Sequence, residues 1–484
     1  MKRLLCLLLV LGMTAFMTAC STENVSKTIE TDAPLISESE PEKSKPTVEI
    51  SIIESSDVSE EPTEPEEETK SSSSSSSSEK TTEKDKNSSS SSSSESSQSE
   101  TTTSSQETSE PPVVVSTPVT GETKAVWISY LEYQSILQGQ SKSQFSANVE
   151  TMFSNLAGDG FNTVYVHARS HSDAMYDSAY FPWSVYCSGT EGKSPGFDPL
   201  AVMVTKAHNA GLKIEAWVNP YRVKGTTDTA KISVGSPAYD WLGTGKVVIV
   251  EGSGIYYNPA DEDVIDLVVS GVEEIVRNYD VDGIHFDDYF YPTTAESFDD
   301  TYYKNYTRSG GKLSLSAWRR QNVNTLIERV YSSIKSIDPA CRFGISPTGN
   351  MESNYGSLYC DVATWVTNSG YIDYICPQIY YGFNHGTKPY LDVLAEFNDM
   401  ISQSKVELIV GLAAYKVGAT DAYAGNGKNE WETYSDILSR QVTAARNESR
   451  YGGFALYRYD SLYHPSSAVS AMMKKERNSL KEIL

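Results

Sequence analysis

The 484-residue chain has no Cys-x-x-Cys pair and no cysteine–histidine spacing of the zinc-binding kind, so no metal motif is expected. It has no Gly-x-Gly-x-x-Gly turn, which argues against an open sheet built to cradle a dinucleotide. Basic clusters are missing too, and 64 Asp and Glu face 40 Lys and Arg. A nucleic-acid partner is therefore not expected. Cysteine is scarce. Of six, Cys6 and Cys20 lie near the start, and Cys187, Cys341, Cys360 and Cys376 remain. Those four permit three disulfide pairings, and free buried thiols are equally open. The apolar run LLCLLLVLGM from Leu4 is too short for a comfortable permanent membrane span.

What is present divides the chain into three. Met1–Ala19 carries Lys2 and Arg3, then the apolar run, then small residues, the layout of an export signal. MTAC followed by Ser21 resembles a bacterial lipobox, in which the signal is cut before the cysteine and a diacylglyceryl group is attached to it; two acyl chains give stable anchoring. Residues 20–123 form a Ser/Thr/Glu/Pro-rich tether with serine runs at Ser71–Ser78 and Ser88–Ser94. Such a segment buries too little apolar surface to offset its ordering entropy and is expected to stay disordered. Residues 21–123 hold 23 Asp and Glu against 7 Lys, which is −16 of the chain's −24, so most of the acidity belongs to the tether and says nothing of a substrate. The expected location is outside the cytoplasm, lipid-anchored at Cys20 to the cell membrane.

Residues 124–484 read as one folded domain. Eight strand-length apolar runs recur: AVWISYLEY, FNTVYVHAR, KIEAWVNPY, GIHFDDYFY, RFGISPTG, IDYICPQIYY, VELIVGLAAY and GGFALYRYD. Helix-period segments separate them, at Phe145–Leu156, Leu200–Ala210, Glu262–Asn278, Trp318–Ile337, Leu358–Val366, Tyr390–Ser402, Trp431–Arg446 and Ser466–Lys474. Alternation of this kind implies parallel strands with right-handed crossovers. Eight units without a phosphate loop favour a single (β/α)8 barrel over a doubly wound sheet.

In such a barrel the strand C-termini carry the chemistry. Six of the eight strands turn polar or aromatic toward that end. Alternation in GIHFDDY puts His285 and Asp287 toward the axis and Phe286 toward the outer helices. Asp287 is then the leading catalytic carboxylate, as nucleophile or general base, with Asp288 beside it. Its partner acid is open between Asp288, Glu352 and Glu215, and Glu215 is expected to pair with Arg169 or His167. The same reading assigns His167, Arg169, Asp173, Trp217, Asn219, Tyr221, Arg222, His285, Tyr289, Gln378, Tyr380, Tyr415 and Arg458 to substrate binding. Aromatic faces beside carboxylates and amides suit pyranose rings, which have an apolar face and a polar edge. No cofactor and no metal are called for.

Four strings, SPGFDPLAVMVTKAHNAGLKIEAWVNPYRV, YYNPADEDVIDLVVSGVEEIVRNYDVDGIHFDDYFYP, FGISPTGN and YIDYICPQIYYG, resemble the glycosyl hydrolase-like 10 family of bacterial (β/α)8 proteins. The similarity runs from about Lys124 to Arg458. It implies action on glycans, with some relatives cleaving peptidoglycan strands, and matches Asp173, Asn219, Arg222, Asp287, Asp288 and Gln378 to the family's shared motifs. The expected function is hydrolysis of cell-wall glycan, peptidoglycan backbone first. The alternatives are a non-catalytic glycan-binding lipoprotein and a hydrolase of other polysaccharides.

Overall fold

The computed structural model describes residues 120–403 and 405–484; the export signal, Cys20 and nearly all of the tether lie outside the described residues. Among the described residues there are eleven strands: β1 (Thr123–Ile128), β2 (Thr163–Arg169), β3 (Lys213–Val218), β4 (Arg222–Lys224), β5 (Val247–Val250), β6 (Gly254–Tyr257), β7 (Gly283–Phe286), β8 (Arg342–Ile345), β9 (Tyr374–Ile375), β10 (Glu407–Ala413) and β11 (Tyr451–Tyr457). Eight of them, all parallel, close in the order β1, β2, β3, β7, β8, β9, β10, β11 and back to β1. The expected (β/α)8 barrel is the fold. The other three make an antiparallel sheet, ordered β4–β6–β5, in the long connection after β3.

Strand alternation here separates two buried environments. Outward residues such as Val126, Val164, Ile214, Phe286 and Phe454 pack under the helices, while Trp127, Tyr165, Trp217, Tyr374, Ile409 and Ala455 fill the barrel interior. Large interior side chains need gaps opposite them. Gly283 supplies one: a Cβ there would stand 2.7 Å from Cδ of Glu215. Gly344 supplies another, since a Cβ would fall inside the Tyr374 ring.

Four of the longer helices begin on capping side chains. Ser141 and Gln144 form a capping box on Lys142–Asp159, Asp198 caps Pro199–Asn209, Asp261 caps Glu262–Asn278 and Ser314 caps Leu315–Ile337. Each satisfies backbone N–H groups that a helix start leaves free.

Several expected elements differ in extent. GIHFDDYFY and RFGISPTG stop as strands at Phe286 and Ile345, and the helices expected at Leu358–Val366 and Ser466–Lys474 lie at Val362–Thr367 and Ser470–Ile483. Three further differences have a visible cause. AVWISYLEY ends as a strand at Ile128, because Ser129 and Glu132 form a capping box that starts a helix at Tyr130–Ile136. IDYICPQIYY keeps only Tyr374–Ile375 as strand, with Pro377, which has no N–H, soon after. The continuous helix expected over Trp431–Arg446 is two, Glu430–Thr433 and Ile437–Ala445. The second starts where buried Glu476 accepts the N–H groups of Ile437 (3.1 Å) and Leu438 (2.7 Å). All four described cysteines, Cys187, Cys341, Cys360 and Cys376, are free and buried, so the thiol alternative holds.

Candidate active site

Asp287 and Asp288 follow directly on the last residue of β7, at the C-terminal mouth of the barrel. Asp287 is 6% exposed and Asp288 half-buried. Gln378, beyond the end of β9, donates from Nε2 to Asp287 Oδ1 at 3.0 Å and to the Ser346 carbonyl at 3.1 Å, so the amide is held from below as it holds the acid. The backbone N–H of Asp288 donates to Asp287 Oδ1 at 2.9 Å. Burial, then the negative charge of Asp288, push the Asp287 carboxyl well above the usual carboxylate range. Asp288 is also raised by burial, but its hydrogen bonds to Asp287 and Gln378 favour its charged form. Two touching carboxyls cannot both ionise cheaply. The pair therefore holds a proton more tightly than an ordinary carboxylate does.

Around the pair stand an arginine and tyrosines. The Arg222 guanidinium lies 4.8 Å over the Tyr289 ring and supplies the positive charge acting on both acids. It makes no ion pair among the described residues. Tyr289, Tyr380 and Tyr457 lie within electrostatic reach of Asp287. Tyr415, 47% exposed, packs edge-on to Tyr380 and Tyr457 at 5.8 and 6.1 Å and forms the outer rim.

On the far side, His167 stacks on Trp217 with ring centroids 3.3 Å apart. Its Nδ1 accepts the Tyr130 N–H at 3.2 Å, and burial together with Arg222 holds the ring neutral, so its proton sits on Nε2. Asn219 is 1% exposed; its Oδ1 accepts the Trp217 indole N–H at 3.2 Å and its Nδ2 donates to the Ser170 carbonyl at 3.0 Å, fixing the indole. Tyr130, Tyr186 and His171 were not singled out from the sequence, yet Tyr130 packs on Tyr186 at 4.6 Å and on His171 at 5.6 Å beside His167. The only hint was a tyrosine near the C-terminal end of the first strand candidate.

Several expected site residues lie elsewhere. β2 has a register shift between His167 and Arg169, so Ala168 and Arg169 both turn outward. Arg169 is fully buried, 3.6 Å over the Phe181 ring and against Gly271 of the Glu262–Asn278 helix. Asp173 is 1% exposed inside the connection after β2, accepting the His171 N–H at 3.2 Å, not in the cleft. Tyr221 is wholly buried in the outer core against Phe290. Arg458 is bound to Glu132 at 2.9 Å and so serves the architecture of the rim.

His285 points inward as expected but lies one layer below the acids, fully buried. Its Nε2 accepts the Trp127 indole N–H at 3.1 Å, and its Nδ1 meets the Tyr374 hydroxyl at 2.7 Å. An indole can only donate, so the neutral ring carries its proton on Nδ1 and donates to Tyr374. Tyr374 in turn donates to Glu215 at 2.6 Å. Glu215 thus pairs with Tyr374 and neither Arg169 nor His167. Burial pushes it up to about 7, against the pull of Arg342 and of that hydrogen bond. Glu352 is exposed on the short helix Met351–Gly356. No cluster of three or more histidine, cysteine or acidic side chains placed to hold a metal occurs among the described residues.

Residues 122–427 match the profile of the glycosyl hydrolase-like 10 family. The chain is 35% identical over 351 residues to Glycosyl hydrolase YngK of Bacillus subtilis (strain 168), covering 67% of this chain and 66% of that relative, just under two thirds of its length. It is 33% identical over 349 residues to Glycosyl hydrolase DigH of Escherichia coli (strain K12), covering 65% of this chain and 76% of that one. The glycoside hydrolase domain of PgaB (BpsB) from Bordetella bronchiseptica shares the fold, with a TM-score of 0.50 at 15% identity over 74% of this chain and 99% of that domain.

Proposed function

The chain belongs to the glycosyl hydrolase-like 10 family, and from that premise we propose that it is a glycoside hydrolase that cleaves the sugar backbone of cell-wall peptidoglycan outside the cytoplasm, anchored to the membrane by lipid on Cys20. The observation that carries the chemistry is the acid pair at the mouth of β7, gripped by Gln378 and walled by tyrosines.

Asp287, expected from the sequence to attack or to act as a base, suits the opposite role. Burial and the neighbouring acid raise its proton affinity, which suits a proton donor. It protonates the leaving glycosidic oxygen, and Asp288 steadies the positive charge that builds at the sugar. Tyr289, Tyr380, Tyr415 and Tyr457 offer ring faces and hydroxyls to pyranose units. The lipobox-like MTAC and the acidic, serine-rich tether support an anchored enzyme whose folded part reaches into a surrounding wall.

The test is release of reducing ends by the purified folded domain from peptide-stripped peptidoglycan, set beside cellulose and mannan. Turnover of the first alone is expected. Turnover of a plant glycan alone would overturn the substrate, and binding without cleavage across the set would overturn the reaction.

A further inference from the structure

A two-carboxylate glycosidase places its acids on opposite sides of the scissile bond, about 5 Å apart or more. Asp287 and Asp288 cannot do this. They are consecutive, they hydrogen-bond to each other, and both engage Gln378. The other titratable groups near them are Arg222, the tyrosines Tyr289, Tyr380 and Tyr457, and the buried thiols of Cys360 and Cys376, none of them an acid placed to attack. Of the remaining acids weighed for the role, Glu215 is sealed a layer below by Tyr374. Glu132, at the mouth of β1, is 1% exposed and bound to Arg458 and Ser129. Glu352 projects into solvent with no partner among the described residues.

Building on the hydrolase reading above, we propose that the attacking group comes from the substrate: the enzyme cleaves beside a sugar carrying a 2-acetamido group, whose carbonyl oxygen attacks C1. In the first step Asp287 gives its proton to the glycosidic oxygen as the C1–O bond breaks and the carbonyl oxygen closes on C1. The product alcohol leaves, and a cyclic oxazolinium remains. The Asp288 carboxylate accepts a hydrogen bond from the acetamido N–H, which orients the carbonyl and offsets the positive charge of the ring. In the second step water adds to C1, its proton passes to Asp287, and the C1–carbonyl oxygen bond opens to restore the acetamido group. Two displacements at C1 retain its configuration. The substrate class is thereby narrowed to N-acetylated hexosamine chains.

The experiment uses the purified domain with peptide-stripped peptidoglycan, with the same glycan after chemical N-deacetylation, and with the thiazoline of N-acetylglucosamine, in which sulfur replaces the attacking oxygen. Three results are expected. The first product anomer seen by proton NMR keeps the configuration of the cleaved bond. The thiazoline inhibits competitively, and calorimetry shows that it binds wild type but not Asp288→Ala. Deacetylation lowers kcat/KM by at least about 100-fold, as loss of a well-placed intramolecular group should. An inverted first product, no thiazoline binding, or abolition of turnover by Glu352→Gln would overturn the mechanism while leaving glycan hydrolysis intact. Failure of the wild type to cleave any N-acetylated glycan would sink both readings together.

Discussion

Two carboxyl groups project into the same barrel, Glu215 from the middle of β3 and Asp287 from the end of β7, and burial raises the proton affinity of both. Their surroundings then diverge. Glu215 receives the Tyr374 hydroxyl and continues a hydrogen-bonded chain through His285 to Trp127, with every partner buried. Asp287 has a half-buried second acid at its side, the Gln378 amide and the Asp288 backbone N–H as donors, and a nearby cation. A raised proton affinity therefore does not by itself mark a reacting group. What separates the two is whether a substrate could reach the proton. Below, the network is closed on itself; above, the acid pair meets tyrosines that end at the rim.

Substitutions can break or sharpen that contrast. Asp287→Asn is expected to lower kcat about 1,000-fold, the scale of losing a positioned acid, while the thermal melt stays within a few degrees of wild type. Near-normal turnover would erase the functional side of the comparison. Glu215→Gln is expected to leave kcat within a few fold but to change how stability depends on pH. The folded-state value of about 7 lies above the ordinary 4.5, so the folded form holds the proton more tightly. Its stabilisation is complete below about pH 4.5 and is lost as pH rises through 7. By linkage this amounts to roughly 3 kcal/mol of stability lost across that window in the wild type and absent in the variant. Urea unfolding at pH 4.5 and 7.5 on both proteins measures it, and parallel pH curves would refute it. Gln378→Leu is the mildest. Removing the donor to Asp287 disfavours its carboxylate, so the alkaline limb of the pH–rate profile should move upward while kcat falls about 10-fold.

The eight barrel strands could be read from the chain because each alternates between an apolar outer face and an inner face of aromatic and polar residues, and that period survives one-residue errors at the ends. The same alternation correctly turned His285 inward but could not give its height, and it is height that separates a buried relay from a reacting group. At Arg169 the alternation failed. The irregularity at Ala168 adds a residue to one strand and reverses every side chain after it, with no mark in the sequence. The small sheet after β3 did leave a mark, in VVIV and GIYY flanking a Glu-Gly turn, which is hairpin patterning. It places Arg222 on a short strand near the acids, where the plain loop implied by NPYR would not have fixed it. Tyr221 was drawn to the cleft by its position after a strand, and Asp173 by its loop position and by the family resemblance. In the structure the Asp173 carboxylate and the Tyr221 backbone carbonyl, which accepts the Tyr257 N–H at 2.8 Å, serve the connections that build its wall.

The glycines at 283 and 344 are the moulds into which Glu215 and Tyr374 are cast. Neither half of such a couple can be altered independently, because a methyl group on the glycine evicts the partner and a smaller partner leaves a void. Across kindred sequences these positions should change two at a time or not at all, and anyone remodelling the floor of this barrel has to treat each couple as one composite residue.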